Sequence, residues 1–281
     1  MRDGIISFRQ SADGSTSAYN ADFDECYHSL KDGALNETLY KHIYPSLAHS
    51  VGCFGDALEN LPNTSNTLCV LDICFGLGYN TLTLLSTLAK GQIPQQQILN
   101  GQILKTPFKG KVKIYSPEID ENVFRTLREL PYPPFICETL PLEEILKHFE
   151  SARQVSQYDG KIGDMEFEIY LYKGDALVFL EYLKQDLCGK FHIVFQDAFS
   201  PKKNPTLWSK EYFALLYHLL HPQGIITTYS QSRAVRENAI NAGFRVYDYK
   251  PSNVCEINIR GGSVMSKESL SLEKLKEISR S

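Results

Sequence analysis

From residue 68 to residue 259 the apolar positions switch repeatedly between two spacings. Short apolar runs bounded by turn residues read as strands, and stripes at helical spacing read as helices. Leu68–Ile73 is almost continuously apolar, as a strand buried on both faces should be. A helix opens after it at Tyr79. Lys111–Ser116, Phe167–Tyr172, Phe191–Gln196, Gly224–Tyr229 and Phe244–Tyr249 read as further strands. Helices are expected over Glu121–Leu130, Ala176–Leu187, Lys210–Leu220 and Arg233–Ala242, the last closed by Gly243. A final strand is expected over Val254–Ile259, after the short turn Pro251-Ser252-Asn253, and so antiparallel to the one before it. Strands alternating with helices predict an α/β fold: a doubly wound, mainly parallel sheet with helices on both faces.

Three regions lie outside this alternation. Residues 1–30 are polar and aromatic with Gly and Ser punctuation, which suits a small hairpin. Residues 33–61 read as helix through Leu35, Leu39, Ile43 and Leu47, with Pro45 as a possible interruption. Residues 131–163 carry four prolines, a short helix near Leu142–Phe149 and a polar loop, and read as an insertion. The expected organisation is an extension over 1–62, a main domain over 63–261 and a polar tail over 262–281.

Composition changes this picture little. With 43% hydrophobic and 22% charged residues, the 281-residue chain is ordinary globular protein, long enough to bury a core without staples. Its seven cysteines are scattered, without Cys-x-x-Cys or Cys/His ligand spacing, which predicts a reducing cytoplasm and no metal. Cys69 and Cys188 read as small core hydrophobes. No run approaches the ~18 apolar residues of a membrane span, and no signal segment opens the chain. A net charge of −4 argues against binding nucleic acid by charge alone. Local basic clusters remain, Lys105, Lys109, Lys111 and Lys113 in one, Lys202, Lys203 and Lys210 in another, each either a solvated face or a contact surface.

The segment Leu68-Cys69-Val70-Leu71-Asp72-Ile73-Cys74-Phe75-Gly76-Leu77-Gly78-Tyr79-Asn80 carries the chemistry of a ligand site. A strand runs into a glycine turn and then a helix, so backbone N–H groups can approach a ligand closely. A dinucleotide fingerprint needs a third glycine where Thr81 stands, and no P-loop lysine follows. Asp72, just before the glycines, suits a ligand with an amino group and ribose hydroxyls, and S-adenosylmethionine has both. With the antiparallel last strand, this is the arrangement of a class I, Rossmann-like methyltransferase with a seven-stranded sheet.

In such sheets ligands sit beyond the carboxyl ends of the strands, where strand order reverses. Carboxylates stand at four of these ends: Asp72, Glu118, Asp175 and Asp197. Each alone is an ordinary loop residue, but four along one edge suggest a site. Glu118 is placed to accept from ribose hydroxyls, Asp175 from the adenine amino group, and Asp197 where methyl donor and acceptor meet. After Asp197 comes a long loop with two prolines and the only tryptophan, Asp197-Ala198-Phe199-Ser200-Pro201-Lys202-Lys203-Asn204-Pro205-Thr206-Leu207-Trp208. Prolines stiffen it, which helps hold a reacting group. Trp208 either stacks on a base or anchors the next helix.

These two segments resemble the methyltransferase half of the MnmC family, which modifies the wobble uridine of tRNA, and its stand-alone relatives without the flavin-dependent oxidase half. The family's glycine segment runs Glu-Thr-Gly-Phe-Gly-Thr-Gly-Leu-Asn against Asp72–Asn80 here, and its Asp-Gly-Phe-Ala/Ser-Pro-x-Lys-Asn-Pro-x-Met/Leu-Trp loop is matched by Asp197–Trp208. Asp22–Tyr27 and Ala34–Thr38 look like two upstream family elements. The likeness covers roughly residues 20–260.

The resemblance implies methyl transfer from S-adenosyl-L-methionine to the aminomethyl group on carbon 5 of the wobble uridine. It implies cofactor contacts from Tyr27, Glu37, Asp72, Phe75, Gly76, Gly78, Asn80, Glu118, Asp175 and Asp197, with Asp197 orienting the acceptor amine. Phe199, Lys202, Lys203, Asn204 and Trp208 are then the expected acceptor contacts, with Tyr19 and Tyr27 further rings for stacking on the base. The partner implied is the tRNA anticodon loop, with no membrane and no fused flavin oxidase. Two departures stand out. Cys74 replaces the first glycine of the turn, and Lys250-Pro251-Ser252-Asn253-Val254-Cys255-Glu256 replaces a basic family segment. Two other classes stay open: a methyltransferase for another amine, and a non-catalytic RNA- or nucleotide-binding module.

Overall fold

The computed structural model describes residues 6–54, 67–93, 104, 106–253, 258–270, 272 and 275–279. Its first sheet is antiparallel, with Ile6–Gln10 (β1), Thr16–Asn20 (β2) and Glu25–Cys26 (β3) in that order. The main sheet is built from Thr67–Ile73 (β4), Gly110–Glu118 (β5), Val155–Ile162 (β6), Met165–Lys173 (β7), Phe191–Gln196 (β8), Leu220–Thr228 (β9), Arg245–Tyr249 (β10), Gly262–Ser266 (β11) and Lys276–Glu277 (β12). Its order is β12-β10-β11-β9-β8-β4-β5-β7-β6. β7, β5, β4, β8 and β9 pair in parallel, and β11 lies antiparallel between β9 and β10.

The seven strands from β10 to β7 form the class I methyltransferase sheet expected from the sequence, and two more widen it to nine. β6, expected as a polar loop, pairs antiparallel with β7 along its whole length. Its residues alternate exposed and half-buried and it packs at the sheet edge, so it lacks the apolar run that marks a core strand. The antiparallel strand is displaced from its expected place. Of Val254–Ile259, residues 254–257 lie outside the described residues and 258–260 are not strand. Gly262–Ser266, expected in the tail, takes that place and is buried throughout. Its small side chains Gly262, Ser263 and Ser266 disguised a core strand as a polar segment.

The helices are Ala34–Glu37 (α1), Tyr44–Phe54 (α2), Tyr79–Lys90 (α3), Glu121–Thr126 (α4), Pro134–Cys137 (α5), Leu142–Ser151 (α6), Ala176–Leu183 (α7), Lys210–Leu219 (α8) and Arg233–Asn241 (α9). One apolar core holds residues of α1–α6 together with one face of β4, β5 and β7, and a second holds α7, α8 and α9. Cys188 is exposed rather than in a core, its Sγ donating to the His218 carbonyl.

Pro45 does not break the 33–54 helix. Between α1 and α2 the residues Thr38–Ile43 form a π-helical turn, closed by the Tyr44 N–H donating to the Leu39 carbonyl five residues back. A proline ring in an α-helix collides with the carbonyl four residues before it, and widening the preceding turn relieves that collision. Leu35, Leu39, Ile43 and Leu47 are all buried, as their stripe predicted. The turn packs against α3 and β9, beside the carboxyl ends of the central strands.

Candidate active site

β4 and β8 lie side by side in parallel register, Asp72 opposite Phe195 and Ile73 opposite Gln196, so the strand order reverses between them. Beyond their carboxyl ends the chain turns through Cys74 (φ 68°), Gly76 (φ 51°) and Gly78 (φ 74°) before α3 begins. These are left-handed values, natural for glycine and strained for cysteine. A Cβ on Gly76 would come within 3.1 Å of the Tyr27 ring, and one on Gly78 within 2.9 Å of Phe75. The turn is therefore pressed closely by both aromatic rings.

A cavity of about 660 Å³ opens over this turn. Of the residues expected at the cofactor, Tyr27, Glu37, Phe75, Gly76, Asn80, Glu118 and Asp197 line it, and of those expected at the acceptor, Phe199 and Asn204 do. The segment from Phe23 to Lys31 supplies one wall. Phe199 stacks on Phe23 (ring centroids 4.5 Å) and leans on Tyr27 (5.1 Å).

Asp197 stands just past β8 and is gripped from two sides. Asn80 Nδ2 donates to its Oδ2 over 2.9 Å, and His42 Nε2 lies 3.6 Å from its Oδ1. Burial works to raise its pKa, but the His42 and His28 rings and the Asn80 amide outweigh it and hold the carboxyl at about 2. Asp197 is an anion at neutral pH.

Glu118 ends β5 and bridges two backbones. Its Oε2 accepts from the Gly76 N–H and its Oε1 from the Asp120 N–H, both over 2.8 Å. Burial dominates here and pushes its carboxyl up to about 7, against the pull of those N–H donors.

Other expected residues stand elsewhere. Asp72 is wholly buried beneath the turn, outside the cavity lining, accepting from Thr81 Oγ1 (2.7 Å) and more weakly from Asn80 Nδ2 (3.4 Å). It braces α3 against β4, and burial raises it to about 7. Gly78 shapes the turn without lining the cavity. Asp175 is exposed and caps α7, one oxygen accepting from the Leu177 and Val178 N–H groups. Trp208 is buried, its Nε1 donating to the Phe199 carbonyl and its ring edge-on to Tyr229, which makes it the anchor of the loop and removes it from stacking on a base. Lys202 and Lys203 are exposed outside the lining, and Lys203 pairs with Asp24 at 3.0 Å. Tyr19 donates to Asp24, outside the lining. In the other basic cluster, Lys111 and Lys113 both pair with Glu168, while Lys105 lies outside the described residues.

Sequence reasoning missed five contributors. Lys41 is buried against Glu37 (2.7 Å) and Asp32 (3.0 Å), Arg260 reaches the same Asp32 (3.2 Å), and Lys41, Glu37 and Arg260 all line the cavity. Tyr229, also in the lining, donates to the Ala198 carbonyl. His28 lines the cavity with its Nδ1 unpartnered, and burial lowers its pKa. His42 sits behind Asp197. A lysine and histidine inside an apolar helical stripe were the only available signals.

The cavity suits S-adenosylmethionine on its own terms. Its volume falls in the range of about 300–1,000 Å³ usual for small-molecule sites. Glu118, at the rim of the Gly76 turn, offers lone pairs for hydroxyls. Two buried polar atoms of the lining, Asn80 Oδ1 and His28 Nδ1, have no protein partner and are left for an occupant. Asp197 adds a negative charge suited to a sulfonium. Fold and site together define a class I S-adenosyl-L-methionine-dependent methyltransferase.

A family model of S-adenosyl-L-methionine-dependent methyltransferases matches residues 141–253, a span that includes the Asp197 loop. An uncharacterized protein of Methanocaldococcus jannaschii is 28% identical over 236 residues, covering 84% of this chain and 53% of that protein. The tRNA 5-methylaminomethyl-2-thiouridine biosynthesis bifunctional protein MnmC of Campylobacter hominis is 26% identical over 221 residues, 76% of this chain and 29% of its own length. The crystal structure of MnmC2 from Aquifex aeolicus superposes with a TM-score of 0.66 at 27% identity, covering 95% of this chain and 72% of that one. This chain carries an MnmC-like methyltransferase domain, and S-adenosyl-L-methionine is its cofactor. It spans about half the length of the first relative and under a third of the second. No described helix is long and apolar enough to cross a membrane.

Proposed function

We propose that this domain methylates the aminomethyl nitrogen on carbon 5 of the tRNA wobble uridine, in the cytoplasm. The observation that carries this is the anionic Asp197 at the end of β8, held on both oxygens and opening onto the cavity. The match of Asp197–Trp208 to the MnmC loop and the names borne by the MnmC relatives supply the acceptor.

S-adenosylmethionine supplies a methyl group on a positively charged sulfur, open to displacement by a nitrogen lone pair. Glu118 and the Gly76 turn would hold its polar end groups, with Asn80 Oδ1 and His28 Nδ1 as further polar atoms for it to meet. Asp197 accepts an N–H of the acceptor amine and turns the lone pair toward the methyl. Because the Asp197 carboxyl lies at about 2, it orients the amine rather than keeping its proton. An alkylamine of pKa ~10 must therefore shed that proton to water before it is enclosed. Alignment of the two reactants then supplies much of the acceleration. Phe199, braced by Phe23 and Tyr27, offers a ring on which an extruded base can stack. Asn204 meets the base edge, and Lys202 the phosphate backbone beyond.

Incubation with methyl-labelled S-adenosylmethionine tests this. Label should enter tRNA that carries aminomethyl-uridine and not tRNA lacking it. Label entering neither, with the cofactor bound, would move the activity to another amine.

A further inference from the structure

His42 is a buried titratable group whose Nε2 lies 3.6 Å from Asp197, yet it does not line the cavity. Its Nδ1 lies 2.9 Å from Thr227 Oγ1 on β9, and its ring meets Phe195 edge-on at 5.7 Å. Its Nε2 has no hydrogen-bond partner and is aimed at Asp197 Oδ1, 3.6 Å away. The threonine hydroxyl can donate to Nδ1 or accept from it. When it donates, the ring is neutral with its proton on Nε2; when it accepts, the ring is an imidazolium or the neutral Nδ1–H tautomer. The last is disfavoured, because it would set a bare Nε2 lone pair against the Asp197 carboxylate. In the two favoured states, therefore, an N–H faces Asp197.

The π-helical turn makes this placement possible. Each residue of an α-helix advances about 100° around the axis. An α-helical register through Thr38–Ile43 would swing His42 away from β8 and β9, so the widened turn both admits Pro45 and aims the imidazole. Such turns recur at functional positions.

We infer that His42 is a positioning residue for the methyl transfer: from behind, it presents an N–H to Asp197, keeping that carboxylate charged and fixed while its remaining lone pairs meet the acceptor nitrogen. This rests on reading the acceptor as an amine. The other titratable groups that interact with the pair are His28 from the N-terminal segment, Asp72 from β4, Cys74 from the glycine turn and Tyr229 just past β9, with Glu37, on His42's own helical run, acting on His28 and Tyr229. Burial less opposed by such a partner already puts Asp72 and Glu118 at about 7. Asp197 without His42 should move toward them.

The experiment compares His42→Phe, which keeps the ring volume and loses the N–H, with His42→Gln, which keeps an N–H and loses the ring. Thr227→Val, nearly isosteric, loosens the imidazole without touching it and serves where either variant folds poorly. Asp197 is titrated by carbon NMR of labelled carboxyl groups in the cofactor-free proteins, and kcat and KM for the tRNA are measured against pH. In His42→Phe the Asp197 titration should rise by roughly two pH units or more, and the acid limb of kcat should rise with it. His42→Gln should recover much of both, and Thr227→Val should shift in the same direction by less. An unmoved titration in His42→Phe, or His42→Gln behaving as the poorer variant, would show a packing role and overturn the inference. The titration needs no acceptor, so a wild-type protein that methylates no amine but shows the expected shifts would contradict the acceptor assignment alone.

Discussion

Asn80 Nδ2 donates to Asp197 Oδ2 over 2.9 Å, tying the first turn of α3 to the end of β8 across the point where strand order reverses. The same amide reaches Asp72 Oδ1 at 3.4 Å. One side chain thus couples the brace beneath the glycine turn to the carboxylate at the cavity.

Asp197→Asn keeps the shape of the site and removes its charge. Oriented polar groups that meet the reacting atoms are commonly worth about 10²–10³ in kcat. A fall of that order is expected, with S-adenosylmethionine affinity by calorimetry changed less than about tenfold. A variant turning over at the wild-type rate would remove Asp197 from the chemistry.

Glu118→Ala strips acceptors from the Gly76 and Asp120 N–H groups and from any hydroxyl bound there. Hydrogen bonds to a charged group are worth about 1.5–3 kcal/mol. Cofactor affinity should fall by roughly 10- to 100-fold. An unchanged dissociation constant would mean that Glu118 only shapes the turn.

Cys74→Gly replaces a strained left-handed residue by one that adopts φ 68° freely. The strain is on the order of 1 kcal/mol, partly offset by glycine's greater freedom in the unfolded chain. Urea denaturation should show the variant as stable as wild type or slightly more so. Cys74→Val should lose about 2 kcal/mol or more, because a branched side chain tolerates that backbone poorly.

Asp72 sets a pH dependence of stability. Its carboxyl is raised to about 7 by burial, from an ordinary value near 3.8. The folded protein therefore holds a proton that the unfolded chain has released, and the stability linked to it is full below about pH 4 and lost as pH rises through about 7. Asp72→Asn, which stays neutral, should gain on wild type as pH rises from 5 to 8, by an amount on the order of 2 kcal/mol. Thermal denaturation of the cofactor-free proteins at the two pH values reads this directly. A constant difference between them would show that Asp72 stays charged throughout.

The parallel core was legible because β4 and β8 are buried on both faces and must be nearly all apolar. The edge strands were not. β6 faces solvent at alternate positions, and β11 reaches full burial with glycine and serine. The site divided along a similar line. Glu118 and Asp197 could be placed because a strand end fixes where a carboxylate begins. Asp72 and Asp175 obeyed the same rule but were diverted by local partners, Thr81 in one case and the N-terminal amides of α7 in the other. Trp208 could be read as anchor or stacker until its Nε1 was found on the Phe199 carbonyl. Nothing in the sequence around His42 announced that a π-helical turn would aim it at a carboxylate 155 positions away.

The central claim is that an ionised Asp197 directs methyl transfer from S-adenosylmethionine to an aminomethyl-uridine. Mass spectrometry of nucleosides from aminomethyl-bearing tRNA, incubated with the cofactor and either wild-type protein or Asp197→Asn, tests it most directly. The expected result is conversion of aminomethyl- to methylaminomethyl-uridine by wild type and its near loss in the variant. Unmodified aminomethyl-uridine after incubation with a wild-type protein shown to bind S-adenosylmethionine would contradict it.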